Sequence, residues 1–252
     1  MTGSGFVNGS TVSFSGTGLT VGSTTYNSPT SLTVSVAVAA DASLSSRTVS
    51  VTNPDAGVGT LASALSITAA PAVTSLSQST IGQSAASISV TVTGTGFQPG
   101  ISASFSGTGV RVNSATYSSA TSVALSLTID FNAALTARDL TLTNTDGGTR
   151  TLAGALTITE RPGFTSLTPA SLGQGATSRS LALVGTAFQT GMTAAFGGSG
   201  VTVNSVTVTS STTATLNVSV LGTATTGNRS LTLTNADDGK QSFAAVLAIV
   251  AA

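Results

Sequence analysis

The chain has 252 residues, and its eight Lys/Arg balance its eight Asp/Glu, so that charged residues make up 6% of it against ~25% in ordinary soluble domains. It has no Cys and no His, which excludes disulfides, thiolate chemistry, zinc sites of the usual Cys/His type and every catalytic triad that needs an imidazole. Zero net charge without a basic cluster argues against electrostatic binding to nucleic acid or to an anionic membrane surface, and no run approaches the ~20 apolar residues of a membrane helix. The start, Met1-Thr2-Gly3-Ser4-Gly5-Phe6, lacks the basic and apolar regions of a signal peptide. Export is either not used or directed by a segment outside this sequence.

Along the chain, the first pattern met is met again. Phe6-Val7-Asn8-Gly9 recurs as Phe97-Gln98-Pro99-Gly100 and as Phe188-Gln189-Thr190-Gly191, with 97 − 6 = 91 and 188 − 97 = 91. The same offset links Phe14, Phe105 and Phe196, then Gly16, Gly107 and Gly198, then Arg47, Arg138 and Arg229. It also links Asn53, Asn144 and Asn235, then Asp55, Asp146 and Asp237, then Leu65, Leu156 and Leu247. An offset held over so many positions leaves no room for insertions, so the chain is a tandem array of one unit. Its domains are 1–70, 71–161 and 162–252, and the first lacks the counterpart of Pro71 through Thr91.

Within a unit the period is two. The opening positions Val73 and Leu76 are followed by Val90 and Val92, which alternate with polar residues. Val123-Leu125-Leu127-Ile129 continues the pattern, with counterparts Leu32-Val34-Val36-Val38 and Ala214-Leu216-Val218-Val220. Leu140-Leu142 and Leu156-Ile158 close the unit. Such alternation in Thr-rich, β-branched runs reads as strands with one buried face. Turn signals stand between the runs: Gln98-Pro99-Gly100, Ser106-Gly107-Thr108-Gly109 and Asn144 to Gly148. About seven short strands per unit predict an all-β chain of tandem immunoglobulin-like β-sandwiches, three beads of which the first is N-terminally incomplete. Pro71 and Pro162 sit where one unit ends and the next begins, which predicts semi-rigid joints rather than a floppy tether.

Several residues read together resemble a known family. Val73-Thr74-Ser75-Leu76, Gly82-Gln83, Val92-Thr93-Gly94-Thr95-Gly96-Phe97-Gln98-Pro99-Gly100, Phe105-Ser106-Gly107 and Leu142-Thr143-Asn144-Thr145-Asp146-Gly147 are similar to the IPT/TIG-type immunoglobulin-like domain. Phe164-Thr165-Ser166-Leu167-Thr168-Pro169 with Gly173-Gln174 repeats the opening, and Gly185-Thr186-Ala187-Phe188 departs from it by an alanine for the second glycine. The resemblance spans nearly all of both complete units and what is present of the first. It implies tandem repeats of bacterial surface or secreted proteins that serve as spacers, adhesive stalks or accessory modules, located outside the cell or on its surface. It brings no catalytic residues. The DNA-binding relatives of this fold read DNA with basic loops, whereas this chain has a single lysine, Lys240.

No catalytic, cofactor-binding or metal-ligating residue is assigned. The turns at Asn53 to Asp55, Asn144 to Asp146 and Asn235 to Asp237 offer hard oxygen ligands, but one carboxylate per turn is too few for a calcium cage, and Asn and Asp favour hairpin turns for backbone reasons. Arg47, Arg138 and Arg229 are expected to cover a sheet edge or meet a carboxylate. The Phe pairs are expected in the core, while Tyr26 and Tyr117 are better surface candidates for a sugar platform, although Val208 replaces them in the third unit. The sequons at Asn8, Asn217 and Asn228 do not recur at equivalent positions. Serines without a histidine partner, a lysine in a turn and the neighbours Asp237 and Asp238 assemble no reaction centre, so the chain is not expected to be an enzyme.

The leading expectation is a structural protein: an extracellular stalk, spacer or filament. The alternative is a carbohydrate- or receptor-binding accessory module of a larger secreted protein, with a glycan or surface ligand as partner. The first bead lacks apolar positions equivalent to Val73, Leu76, Ile81, Ile88 and Val90, whose burial amounts to roughly 7–15 kcal/mol as an upper estimate. It should not fold well alone. Upstream repeats, or another copy of the chain adding a strand, are both open as the source of what completes it.

Overall fold

The computed structural model describes residues 1–252 and contains no helix. The chain divides into two compact units, Met1–Ala69 and Ala70–Ala252. The second holds both complete repeats and shows the intact fold.

In the first unit the strands are β1 (Thr11–Phe14), β2 (Leu19–Ser28), β3 (Ser31–Val38), β4 (Ser46–Thr52) and β5 (Val58–Ser66). The second repeat has eight: β6 (Ala72–Leu76), β7 (Thr80–Gly82), β8 (Ile88–Thr95), β9 (Ser102–Phe105), β10 (Val110–Ser119), β11 (Ser122–Ile129), β12 (Ala137–Thr143) and β13 (Thr149–Thr159). The third repeats them as β14 (Gly163–Thr168), β15 (Ser171–Gly173), β16 (Arg179–Thr186), β17 (Thr193–Phe196), β18 (Val201–Ser210), β19 (Thr213–Val220), β20 (Gly227–Thr234) and β21 (Lys240–Val250).

Each complete repeat is a sandwich of two four-stranded sheets, ordered β10-β11-β8-β6 against β7-β13-β12-β9, and β14-β16-β19-β18 against β15-β21-β20-β17. This is immunoglobulin-like order. The opening segment changes sheets midway: β6 lies antiparallel to β8, then β7 lies parallel to β13, pairing Ile81 with Ile158. The eighth strand exceeds the seven expected because β7 and β15 have three residues each, too short to show a period.

The alternation in sequence becomes alternation in burial. Along β11, Val123, Leu125, Leu127 and Ile129 are buried while the residues between them face partly outward. They meet Leu140, Leu142, Leu156 and Ile158 of the facing sheet to form the core, with Ile81 and Phe97 closing its ends. The third repeat packs Leu181, Leu183, Leu216 and Val218 against Leu231, Leu233, Leu247 and Ile249 in the same way. In the first repeat the sheets are reduced to β2-β3 and β1-β4-β5. Its core cluster shrinks to Val12, Leu32, Val49 and Val51.

The repeated Gly-x-Gly-Phe motif has a packing cause. A Cβ on Gly94 would lie 1.9 Å from the Ala72 carbonyl oxygen and 2.5 Å from the Phe97 ring, and one on Gly185 would lie 2.0 Å from the Gly163 carbonyl oxygen. The first glycine therefore lets the opening strand and the aromatic ring press against one point of backbone. The second position takes a left-handed turn, φ 70° at Gly96. The third repeat keeps that conformation without glycine, at Ala187 with φ 55°, a strain of about 1–2 kcal/mol.

Candidate functional site at the joint between repeats

The Asn-x-Asp turns are hydrogen-bonded hairpins. Gly57, Gly148 and Gly239 donate their N–H groups to Oδ1 of Asp55, Asp146 and Asp237 at 2.9, 2.9 and 3.1 Å. The asparagine reaches back to the Gly-x-Gly-Phe turn: Nδ2 of Asn53, Asn144 and Asn235 donates to the carbonyls of Gly5, Gly96 and Ala187 at 2.8, 2.7 and 2.7 Å. Asn and Asp at this spacing thus serve backbone groups that the turn would otherwise leave unpaired.

The third repeat's turn also reaches across a boundary between repeats. It is seated against the second repeat, on the last residue of β7 and the one that follows it. The Gly82 N–H donates to the Asp237 carbonyl at 2.9 Å, and the Lys240 N–H donates to the Gln83 carbonyl at 3.1 Å. The Thr159 hydroxyl, at the end of β13, donates to Oδ2 of Asp237. Gln189 Nε2 donates to the same oxygen at 2.5 Å, and Gln78 Nε2 donates to Asp238 Oδ2 at 3.2 Å. Both oxygens of the Asp237 carboxylate are engaged, and the residue is buried. A buried carboxylate without a cation is tolerable when several donors point at it, and here they come from both repeats.

Closeness is enforced by absence of side chain. A Cβ on Gly82 would stand 2.3 Å from the Gly239 Cα and 2.8 Å from Asp237 Oδ1, so the two backbones touch only because position 82 is glycine. The connection is held as well. Pro162 is buried, Arg161 donates from Nη1 to Ser84 Oγ at 3.2 Å, and its guanidinium lies 5.5 Å from the centre of the Phe131 ring.

None of these joint contacts is visible as a motif, because they join positions outside the alternation. The one available signal is divergence between repeats. Gln78, Ser84, Thr159 and Arg161 have Pro169, Gly175, Val250 and Ala252 as counterparts. The corresponding face of the third repeat, a shallow depression lined by Pro169, Ser171, Leu172, Gly173 and Gly175, has therefore lost all four polar side chains that hold the joint.

The three arginines are buried pegs. Nη2 of Arg138 donates to the carbonyls of Thr108 and Ala134 at 3.1 and 3.2 Å, and Arg47 donates to those of Thr17 and Ser43 at 3.1 and 3.0 Å. Arg229 donates to Thr225 through its carbonyl and hydroxyl oxygens. Neither edge cover nor carboxylate partner, expected from sequence, describes them. The guanidiniums of Arg47 and Arg138 tie the turn after the Phe105-type strand to the loop before the Leu140-type strand, whereas Arg229 holds that loop alone, and in all three Nε is left without a partner. Asp139, the neighbouring carboxylate, accepts instead from the Gly154 N–H at 2.8 Å.

Of the aromatics, Phe97, Phe188 and Phe196 are buried, and Phe6, Phe14 and Phe105 pack against the cores while partly exposed. Tyr26 and Tyr117, expected on the surface, are half-buried against the same cores, where Val208 takes the equivalent place. They form no platform. Lys240 opens β21 rather than sitting in the turn. No group of three or more acidic, His or Cys side chains is placed to hold a metal ion.

Comparison with known proteins adds the following. Residues 161–250 match the family of the quinohemoprotein amine dehydrogenase alpha subunit, domain III. The match coincides with the third repeat. No curated protein matches the chain. Among solved structures, the I9–I11 tandem of titin aligns at 11% identity and a TM-score of 0.35, over 96% of this chain and 89% of that one. The Escherichia coli adhesin FdeC aligns at 16% identity and a TM-score of 0.30, over 99% and 87%. SGBP-B of the Bacteroides ovatus mixed-linkage glucan utilization locus, in complex with a mixed-linkage heptasaccharide, aligns at 11% identity and a TM-score of 0.29, covering 96% of this chain. The chain spans 60% of that protein's length. The immunoglobulin-like assignment rests on the strand order itself.

Proposed function

We propose that this chain is a non-catalytic structural protein, an extracellular or cell-surface stalk or spacer built of IPT/TIG-type immunoglobulin-like repeats. The observation that carries the reading is the joint, in which a buried carboxylate of one repeat is held by donors of both and two backbones meet at Gly82. A flexible tether would let each repeat sample many orientations. A spacer needs fixed ones, and the hydrogen-bonded joint with its buried proline supplies them. The low charge and the Ser/Thr-rich exposed faces suit a chain whose surface has no electrostatic partner. Adhesion, where it occurs, then belongs to what the spacer presents.

The IPT/TIG reading is supported by the Gly-x-Gly-Phe turn, whose glycine, ring and asparagine staple act as one unit in both complete repeats. Immunogold electron microscopy of cells that make the protein tests the placement: label outside the envelope is expected, and label confined to the cytoplasm would overturn it. A glycan array separates the spacer from a carbohydrate-binding module. No saturable binding is expected, and binding abolished by changes in one repeat would decide for the module.

A further inference from the structure

The strand under the joint is the shortest of its sheet. β7 stands at the edge of the order β7-β13-β12-β9 and contributes three residues, paired as Thr80 with Thr157, Ile81 with Ile158 and Gly82 with Thr159. Local opening in a native protein starts at elements with so few contacts, and the outer backbone groups of an edge strand have no partner within their own sheet. Yet β7 carries Ile81, which is fully buried in the core of the second repeat. Its release would uncover that core.

Contacts from the third repeat close the outer side of this strand. On the inner side the Thr157 N–H donates to the Ser79 carbonyl at 2.8 Å and the Gln83 N–H donates to the Thr159 carbonyl at 3.0 Å, so β7 is fastened to β13 at both ends. On the outer side Asp237 takes the Gly82 N–H and Lys240 takes the Gln83 carbonyl. Two residues serve both attachments at once. Gln78 donates from Nε2 to the Thr80 carbonyl at 3.0 Å and to Asp238 Oδ2 at 3.2 Å, as an amide nitrogen with two hydrogens can. Thr159 accepts from the Gln83 N–H with its carbonyl and donates its hydroxyl to Asp237. Gln83 carries the attachment inward, donating from Nε2 to the Ala133 carbonyl at 2.7 Å.

We propose that the joint is a lock on the second repeat: the third repeat holds β7 against β13, and this edge and the joint open as one cooperative unit. β7 cannot leave β13 without drawing Gln78, Gly82 and Gln83 off the third repeat. The third repeat cannot leave without stripping the outer side of β7. A half-open joint is disfavoured, because it would leave the buried Asp237 carboxylate short of donors. The coupling is reciprocal by linkage, so the Asp237 turn loosens when β7 is released. The lock rests on the joint that carries the spacer reading, and it adds that this joint governs local stability and not orientation alone.

Amide hydrogen exchange of the full chain, resolved by residue, tests the lock. The Gly82 and Lys240 amides report the joint. The Gln83 amide reports the attachment of β7, since its bond to Thr159 lies wholly within the second repeat. In the unaltered chain all three should exchange with one common opening free energy. A Cβ on Gly239 would lie 3.0 Å from the Gly82 Cα, so Gly239→Val forces the joint apart from the third repeat's side. Asp237→Ala, which removes the acceptor of Thr159, is the second variant. Each should speed exchange at Gln83 by about 10- to 100-fold, while the strands inside each sandwich, residues 123–129 and 214–220, keep their protection. Unchanged exchange at Gln83, with Gly82 and Lys240 deprotected in both variants, would overturn the lock and leave the spacer reading standing. Fast exchange at Gly82 and Lys240 in the unaltered chain would overturn both.

Discussion

Replacing Gly107 by alanine should cost the second repeat far more than the equivalent change, Gly198→Ala, costs the third. Both glycines have left-handed backbones, φ 74° and 80°, so both substitutions carry about 1–2 kcal/mol of backbone strain. They differ in what the new methyl meets. At position 107 it would lie 2.0 Å from Arg138 Nη1, and at position 198 it would lie 3.1 Å from Arg229 Nη1. The first guanidinium has to leave its place and surrender its two carbonyl bonds, charge-assisted contacts worth ~1.5–3 kcal/mol each, with a buried cation left to find water. The second need only shift by a few tenths of an ångström, and its bonds to Thr225 survive. Gly107→Ala should therefore cost about 4–8 kcal/mol, and Gly198→Ala about 1–2 kcal/mol. Because several repeats share the chain, one unfolding midpoint is not a free energy of one repeat. Native-state hydrogen exchange read repeat by repeat is the suitable assay. Equal costs at the two sites, or a cost below about 1.5 kcal/mol at position 107, would refute the peg.

Three further outcomes follow from the same geometry. Ala187→Gly should stabilise the third repeat by about 0.5–1 kcal/mol, since the strain relieved exceeds the added chain entropy, and denaturant titration of residues 162–252 within the chain would show it as slower local opening. Leu125→Ala, in a fully buried position, should cost ~2–5 kcal/mol, whereas Val34→Ala at the half-buried counterpart should cost under ~1.5 kcal/mol; similar losses would mean that the first repeat is closed. With no histidine and no cysteine to titrate, thermal melts should change little between about pH 5 and 9, and a steep fall in that window would reveal a coupled ionic site.

The sandwich was legible because burial and sequence share one period. Val123 to Ile129 alternate in both, and the 91-residue offset carried the reading from repeat to repeat. Three things were not legible, each for a physical reason. The three-residue strands β7 and β15 are placed by pairing with the last strand, a contact far along the chain. The arginines pair with carbonyl oxygens, which every residue has, so side-chain identity could not name the partners. Tyr26 and Tyr117 alternate with polar neighbours like core residues, yet their hydroxyls suggested a surface role. The joint was the deepest gap. The Asp237 turn reads as a turn in all three repeats, and its contacts with Gly82 and Thr159 across the boundary show what the acid holds.

The rigid joint between the second and third repeats can be measured directly, because the chain has no cysteine of its own. Ser114→Cys and Ser205→Cys, exposed positions at the same place in neighbouring repeats, would carry a pair of nitroxide labels for pulsed electron paramagnetic resonance. A single narrow distance distribution is expected for the otherwise unaltered chain. Gly82→Val, which drives a side chain into the Gly239 backbone, should broaden it while leaving exchange protection inside each sandwich intact. A distribution already broad before that change, or one that Gly82→Val leaves narrow and unmoved, would contradict a joint held by Asp237 and Gly82.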